Sequence, residues 1–193
     1  MSGHPNDPGA YSSLPEGLPA PVDDGAAAHL PGLRLPSLAL PATDGRDVDL
    51  SALPGVSVVY AYPRTGIPGQ ALPEGWDAIP GARGCTPQSC GFRDHFAELK
   101  AAGADHVFGL STQDTAFQQE VAARLHLPFP LLSDAAGDLR TALGLPVFTV
   151  DGMTLLKRLT LVIRDGAIAH VFYPVFPPDR SAAEVLGFLQ ASR

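Results

Sequence analysis

Apolar residues in this chain fall into short dense runs, set apart by Pro and Gly and alternating with stretches of helical period. VSVVYAY (56–62) is continuous, apolar and β-branched, which predicts a strand buried on both faces. HVFGLST (106–112) predicts a second buried strand, and FPLLSD (129–134) comes later in the chain. Between them the period changes. Phe92, Phe96 and Leu99 share one face of a helix predicted over residues 85 to about 102. Phe117, Val121 and Leu125 recur four apart, so a second helix runs from Thr112 or Asp114 to about Leu125. A short helix is predicted over 137–143. KRLTLVIRDGAIAHVFY (157–173) reads as a β-hairpin about Asp165-Gly166, and SAAEVLGFLQAS closes the chain as an amphipathic helix. Upstream, LRLPSLALPATDGRDVDLSAL suggests short strands around a turn at Asp44-Gly45. The order implies an α/β architecture: a central mixed β-sheet with helices on both faces.

Two segments escape this pattern. Seven of the 20 Pro residues lie in the first 36 positions, so residues 1–32 read as a flexible Pro/Gly-rich arm before a domain spanning 33–193. Residues 63–84 (PRTGIPGQALPEGWDAIPGARG) are a loop by composition. A loop of that length inside a compact domain is usually either functional or a sign that the element assignment is wrong.

The net charge of −7, with 13 basic residues spread along the chain, argues against nucleic acid as a partner. No apolar run approaches the ~20 residues a membrane span needs, and the N-terminus has neither the basic start nor the apolar stretch of a signal peptide. No membrane partner and a cytoplasmic location are therefore expected. In that reducing setting the only two cysteines, Cys85 and Cys90, point to redox chemistry or a metal rather than a structural staple.

Cys85 falls where the first central strand hands over to the first helix, the end of an open α/β sheet at which sites collect. Pro87 fits the first turn of that helix, since Pro is tolerated there and not deeper. Unpaired N–H groups and the positive end of the helix dipole then face the Cys85 sulfur, and both favour the nucleophilic thiolate. In an intact helix Cα atoms five residues apart are separated by ~8.6 Å, with the side chains ~140° apart around the axis. A disulfide needs less than ~7 Å. A Cys85–Cys90 bond therefore requires the first turn to unwind, as a catalytic cycle would.

GCTPQSCGFRD (84–94) resembles the active-site segment of the peroxiredoxin Q, or bacterioferritin comigratory protein, family. The likeness extends over roughly residues 33–191, through LPATDGRDVDLSAL, VVYAYPR with its terminal Pro63, and RLTLVIRDG. It implies a thioredoxin-like fold and a thiol-dependent peroxidase acting on hydrogen peroxide and organic hydroperoxides. It implies no cofactor, thioredoxin or a similar dithiol as reductant, and a monomer or weak homodimer. By the same resemblance Cys85 is the peroxidatic cysteine, Cys90 the resolving one in an intramolecular disulfide, Arg158 the active-site arginine and Pro63 the shielding proline. The family places Thr three residues before the cysteine; here that residue is Ala82, and about 15 extra residues precede Cys85. Thr65 supplies the hydroxyl if the loop folds back, with Thr86 the poorer candidate.

Plainer readings stand beside these. On its own residues Arg158 reads as an exposed charge at a strand edge, His95 as a surface group, and Arg93 with Asp94 as a surface ion pair. Trp76 either pins the loop to the body or lines a peroxide entrance. A thiol-disulfide oxidoreductase is the alternative enzyme, although such proteins usually space their cysteines by two residues rather than four. A thioredoxin-fold metal-binding module is the non-enzymatic alternative, with two thiolates and a nearby His for a soft ion.

Overall fold

The computed structural model describes residues 13–192. Its centre is β3 (Val56–Ala61), buried at every position. Alternate side chains of that strand enter different cores, as the pleat requires. Val59 and Ala61 join Phe108, Leu139 and Leu161 on one face, whereas Val58 and Tyr60 join Phe92, Val121 and Val185 on the other. Parallel to β3 runs β4 (His106–Ser111), and β5 (Leu131–Ser133) continues outward from it. On the opposite side β8 (Leu159–Arg164) and β9 (Ala167–Phe172) are antiparallel, giving a five-stranded mixed sheet in the order β5-β4-β3-β8-β9.

Helices cover both faces. One face carries α1 (Cys85–Asp94), α2 (Phe96–Ala101), α3 (Thr115–Arg124) and α5 (Ser181–Ala191), through Phe92, Leu99, Val121 and Val185. The other carries α4 (Asp138–Leu143) and the small β1–β2 hairpin, Ala39–Pro41 with Asp47–Asp49. This is an α/β thioredoxin-like fold. The Asp165-Gly166 turn of β8–β9 takes positive φ at both residues, as an Asp-Gly hairpin should.

Three departures from the sequence reading have physical causes. The helix over 85–102 is two helices meeting at His95, where ψ swings to 6°; His95 N–H closes the last turn of α1 on the Gly91 carbonyl, and the His95 carbonyl opens α2 by accepting from Leu99 N–H. An unforeseen hairpin, β6 (Val147–Val150) and β7 (Met153–Leu156), turns at Asp151-Gly152 with positive φ at both. The flexible-arm reading of 1–32 is corrected over its described part. Ala27 and Leu30 belong to the first core, Leu30 with no exposed surface, and Asp24 accepts from Lys157 Nζ at 2.6 Å and Tyr173 Oη at 2.7 Å. Two apolar side chains three apart in a turn anchor a segment whose composition otherwise reads as tail. Residues 1–12 lie outside the described part.

Tyr60 and Tyr62 cross this core fully buried, with hydroxyls donating to Ser89 Oγ at 3.1 Å and Gln118 Oε1 at 3.0 Å. Burial pushes both phenols above their ordinary value of 10.0. A folded-state value raised above the unfolded one gives stability that is complete below the unfolded value and lost as pH climbs toward the folded one. The midpoint of denaturant unfolding should therefore stay level near neutral pH and fall above about pH 10. In Tyr60→Phe that alkaline decline should be shallower; an equal slope would contradict the assignment.

Candidate active site

α1 begins at Cys85 because Gly84, its N-cap, sits at φ 105°, which L side chains rarely adopt. A Cβ there would lie 2.4 Å from Pro178 Cγ, so the position is closed on steric grounds as well. Gly84 offers no side chain to cap the helix, which leaves the first-turn N–H groups without intrahelical acceptors. Cys85 is 4 % exposed.

Arg158 is the residue the fold brings to that sulfur. In the β3–β8 register Ala61 faces Leu159, so Arg158 stands just before β8, at the end of β3 that leads into the loop. Its Nη2 donates to Cys85 Sγ at 3.3 Å and to the carbonyls of Ala82 at 3.1 Å and Arg83 at 3.2 Å. Nε donates to the Gly81 carbonyl at 3.3 Å, and Nη1 to Gln88 Oε1. At 3 % exposure Arg158 is no edge charge. It is a buried cation whose fork ties the segment before α1 to the nucleophile's own atom. Ala82, at the position of the family's threonine, points its methyl away into a cluster with Trp76 and Leu155 and presents its carbonyl instead, 3.7 Å from Cys85 Sγ.

Thr65 lies on the wall of the small cavity in front of Cys85, with Arg64, Gly66, Leu72, Trp76 and Arg83. The loop does fold back. Thr65 is locked by Gln113: its N–H and hydroxyl donate to Gln113 Oε1 at 2.9 and 3.1 Å, and Gln113 Nε2 returns a bond to the Thr65 carbonyl. With its proton given to Gln113, the hydroxyl keeps lone pairs for an incoming O–H. Pro63 is buried at the exit of β3, its carbonyl accepting from Ser111 Oγ at 3.3 Å, and it is not among the residues lining that cavity. Thr86 lines it from α1.

Cys90 sits on the same intact helix, half buried, and both cysteines are free thiols. Burial pushes its thiol above the ordinary value, opposed by the charge of Arg93. Arg93 does pair with Asp94 at 2.8 Å and also donates to the Leu125 carbonyl, and His95 faces Glu98 on the surface side of α2. Among the described residues no three His, Cys, Asp or Glu side chains gather around a common point. No described helix is long and apolar enough to cross a membrane.

Gln88 escaped the sequence reading. It is fully buried on the Cys85 face, accepting from Arg158 and donating through Nε2 to Ser181 Oγ at 3.3 Å. Its spacing of three from Cys85 in a predicted helix was the available signal. Gln113 had none, because its partner Thr65 is 48 residues away.

A mixed five-stranded sheet with a cysteine opening α1 against a buried arginine defines a thioredoxin-fold thiol protein. Residues 30–186 match the Redoxin family. The chain is 35 % identical over 162 residues to chloroplastic peroxiredoxin Q of Oryza sativa subsp. japonica, covering 83 % of this chain and 66 % of the rice protein. It is 32 % identical over 187 residues to chloroplastic peroxiredoxin Q of Gentiana triflora, covering 93 % and 78 %. Among solved structures, peroxidoxin BcpB of Mycobacterium tuberculosis superposes with a TM-score of 0.68 at 29 % identity, over 86 % of this chain and 99 % of that one. Peroxiredoxin Q of Xanthomonas campestris gives 0.64 at 25 %, over 82 % and 96 %. The chain belongs to the Redoxin family, in its peroxiredoxin Q group.

Proposed function

We propose that the chain is a thiol-dependent peroxidase in which Cys85 is oxidised by hydrogen peroxide or an organic hydroperoxide. The contact of Arg158 Nη2 with Cys85 Sγ carries the reading, because it sets a permanent cation and several fixed donors where charge moves in the reaction. The Cys85 thiolate attacks one peroxide oxygen as the O–O bond breaks. The departing oxygen takes the electron pair and then a proton, leaving as water or an alcohol, and Cys85 becomes a sulfenic acid. Arg158 and the first-turn amides stabilise the charge in place, and the Thr65 hydroxyl orients the peroxide. Pro63 acts at one remove, by fixing the β3 exit from which Arg64 and Thr65 reach the cavity.

The sulfenic acid next condenses with the Cys90 thiol, releasing water and forming a disulfide. With α1 intact, Cys90 lies ~140° around the axis and burial holds it protonated, so resolution waits for the first turn to unwind. A dithiol of the thioredoxin kind returns both cysteines to thiols by exchange. That return places the protein in a reducing compartment, the cytoplasm on our reading. Two cysteines in one chain make this an atypical 2-Cys cycle with no cofactor, complete within a monomer.

Stopped-flow mixing of reduced Cys90→Ser protein with hydrogen peroxide tests the division of labour. The first oxidation should run at the wild-type rate and stop at a sulfenic acid, and steady-state turnover with thioredoxin should be lost. Full steady-state turnover in this variant would remove Cys90 from the cycle.

A further inference from the structure

The extra residues between Pro63 and Cys85 are not a slack loop. Trp76, 3 % exposed, forms a third small core with Ala82 and Leu155, joined by Leu72 and Ile79 of the same loop and by Phe148, Val150 and Met153 of the β6–β7 hairpin. The segment is tied at both ends. Arg158 grips the Gly81, Ala82 and Arg83 carbonyls, Gln113 grips Thr65, and Arg64 Nη1 donates to Met153 Sδ at 3.2 Å. Within it Arg83 pairs with Asp77 at 3.0 Å. Bounded in this way and partly open to solvent, the space in front of the sulfur is about 20 Å³. One water needs about 10–15 Å³ by this measure, so the space suits a molecule of two oxygen atoms. A second depression of about 250 Å³ lies beside it, and Leu72, Trp76 and Arg83 line both. These three side chains are the partition between a cavity that touches Cys85 and an outer space large enough for an organic group.

Resting on the peroxidase reading, we infer that Leu72, Trp76 and Arg83 form a size filter that makes hydrogen peroxide the preferred substrate over bulky organic hydroperoxides. The organic group of an aromatic hydroperoxide exceeds the space beside the sulfur and presses on the partition and the Trp76 core behind it; hydrogen peroxide enters with the partition in place.

The test compares kcat/KM for hydrogen peroxide and cumene hydroperoxide in wild type, Trp76→Ala and Leu72→Ala, the last being milder because Leu72 is only half buried. Wild type should favour hydrogen peroxide by at least about tenfold, and either variant should narrow that ratio by about tenfold or more. Alkylation of Cys85 in the Cys90→Ser protein gives a readout independent of turnover. Iodoacetamide should outpace a bulky fluorescein maleimide relative to their rates with free cysteine, and the variants should remove the difference. Active wild type with equal preference for the two peroxides, or variants with an unchanged ratio, overturns the filter. Size-graded alkylation without any peroxide turnover upholds the filter and overturns the peroxidase reading instead.

Discussion

Replacing Cys85 with serine is expected to reduce peroxide-driven oxidation of thioredoxin to the uncatalysed background. The substitution exchanges one atom at a site already 4 % exposed, so the fold should be retained and a matching circular dichroism spectrum would confirm it. What is lost is the chemistry: a serine hydroxyl stays protonated at neutral pH and oxygen does not accept an oxygen atom as sulfur does. Cys90 does not take over, because it lies a turn and a half along α1 with its thiol pushed up by burial and out of reach of Arg158. Residual turnover above a few per cent of wild type would place the reactive sulfur elsewhere.

The second large effect is expected of Arg158→Met, which keeps length and apolar bulk and removes the charge and all the donors. Loss of one preorganised donor at a centre of developing charge costs about 100- to 1,000-fold in rate, and the single-turnover oxidation of Cys85 should fall by at least that much. Stability should suffer too. The carbonyls of Gly81, Ala82 and Arg83 and the side chain of Gln88 lose their shared partner, at about 1–3 kcal/mol for each buried group left unsatisfied. Arg158→Lys separates the two roles: it restores the charge but not the fork, so it should recover part of the rate while the segment before α1 stays loosened. A methionine variant as fast as wild type in the first turnover would reduce Arg158 to a structural clamp.

The sheet was legible because its strands carry their own signals. Val56 to Ala61 is buried on both faces and its sequence says so, and the Asp165-Gly166 turn declares its hairpin. Asp151-Gly152 is the same signal between shorter apolar runs, and it passes unnoticed unless the alternation in VFTVDGMTLL is read around it. The bend at His95 has no sequence mark, because neither Pro nor Gly stands anywhere from Phe92 to Ala102. Cys85 was legible from its place after β3 and from Pro87. Arg158 was legible only through resemblance, since its separation of 73 positions from Cys85 is bridged by sheet register, which local pattern does not encode. The core around Trp76 was out of reach for a similar reason. Leu72, Trp76 and Ile79 are scattered among Pro and Gly without period, and the surface they pack on belongs to the hairpin that was missed.

Treating the reduced protein with a single equivalent of hydrogen peroxide and mapping the sulfur atoms by peptide mass spectrometry addresses the chemistry at its source. Wild type should lose two hydrogens within the single tryptic peptide, residues 84–93, that carries both Cys85 and Cys90, and the Cys90→Ser protein should carry one added oxygen on Cys85, trapped with dimedone. Oxygen found on a methionine instead, with Cys85 recovered as an unmodified thiol while the peroxide persists, would contradict the account.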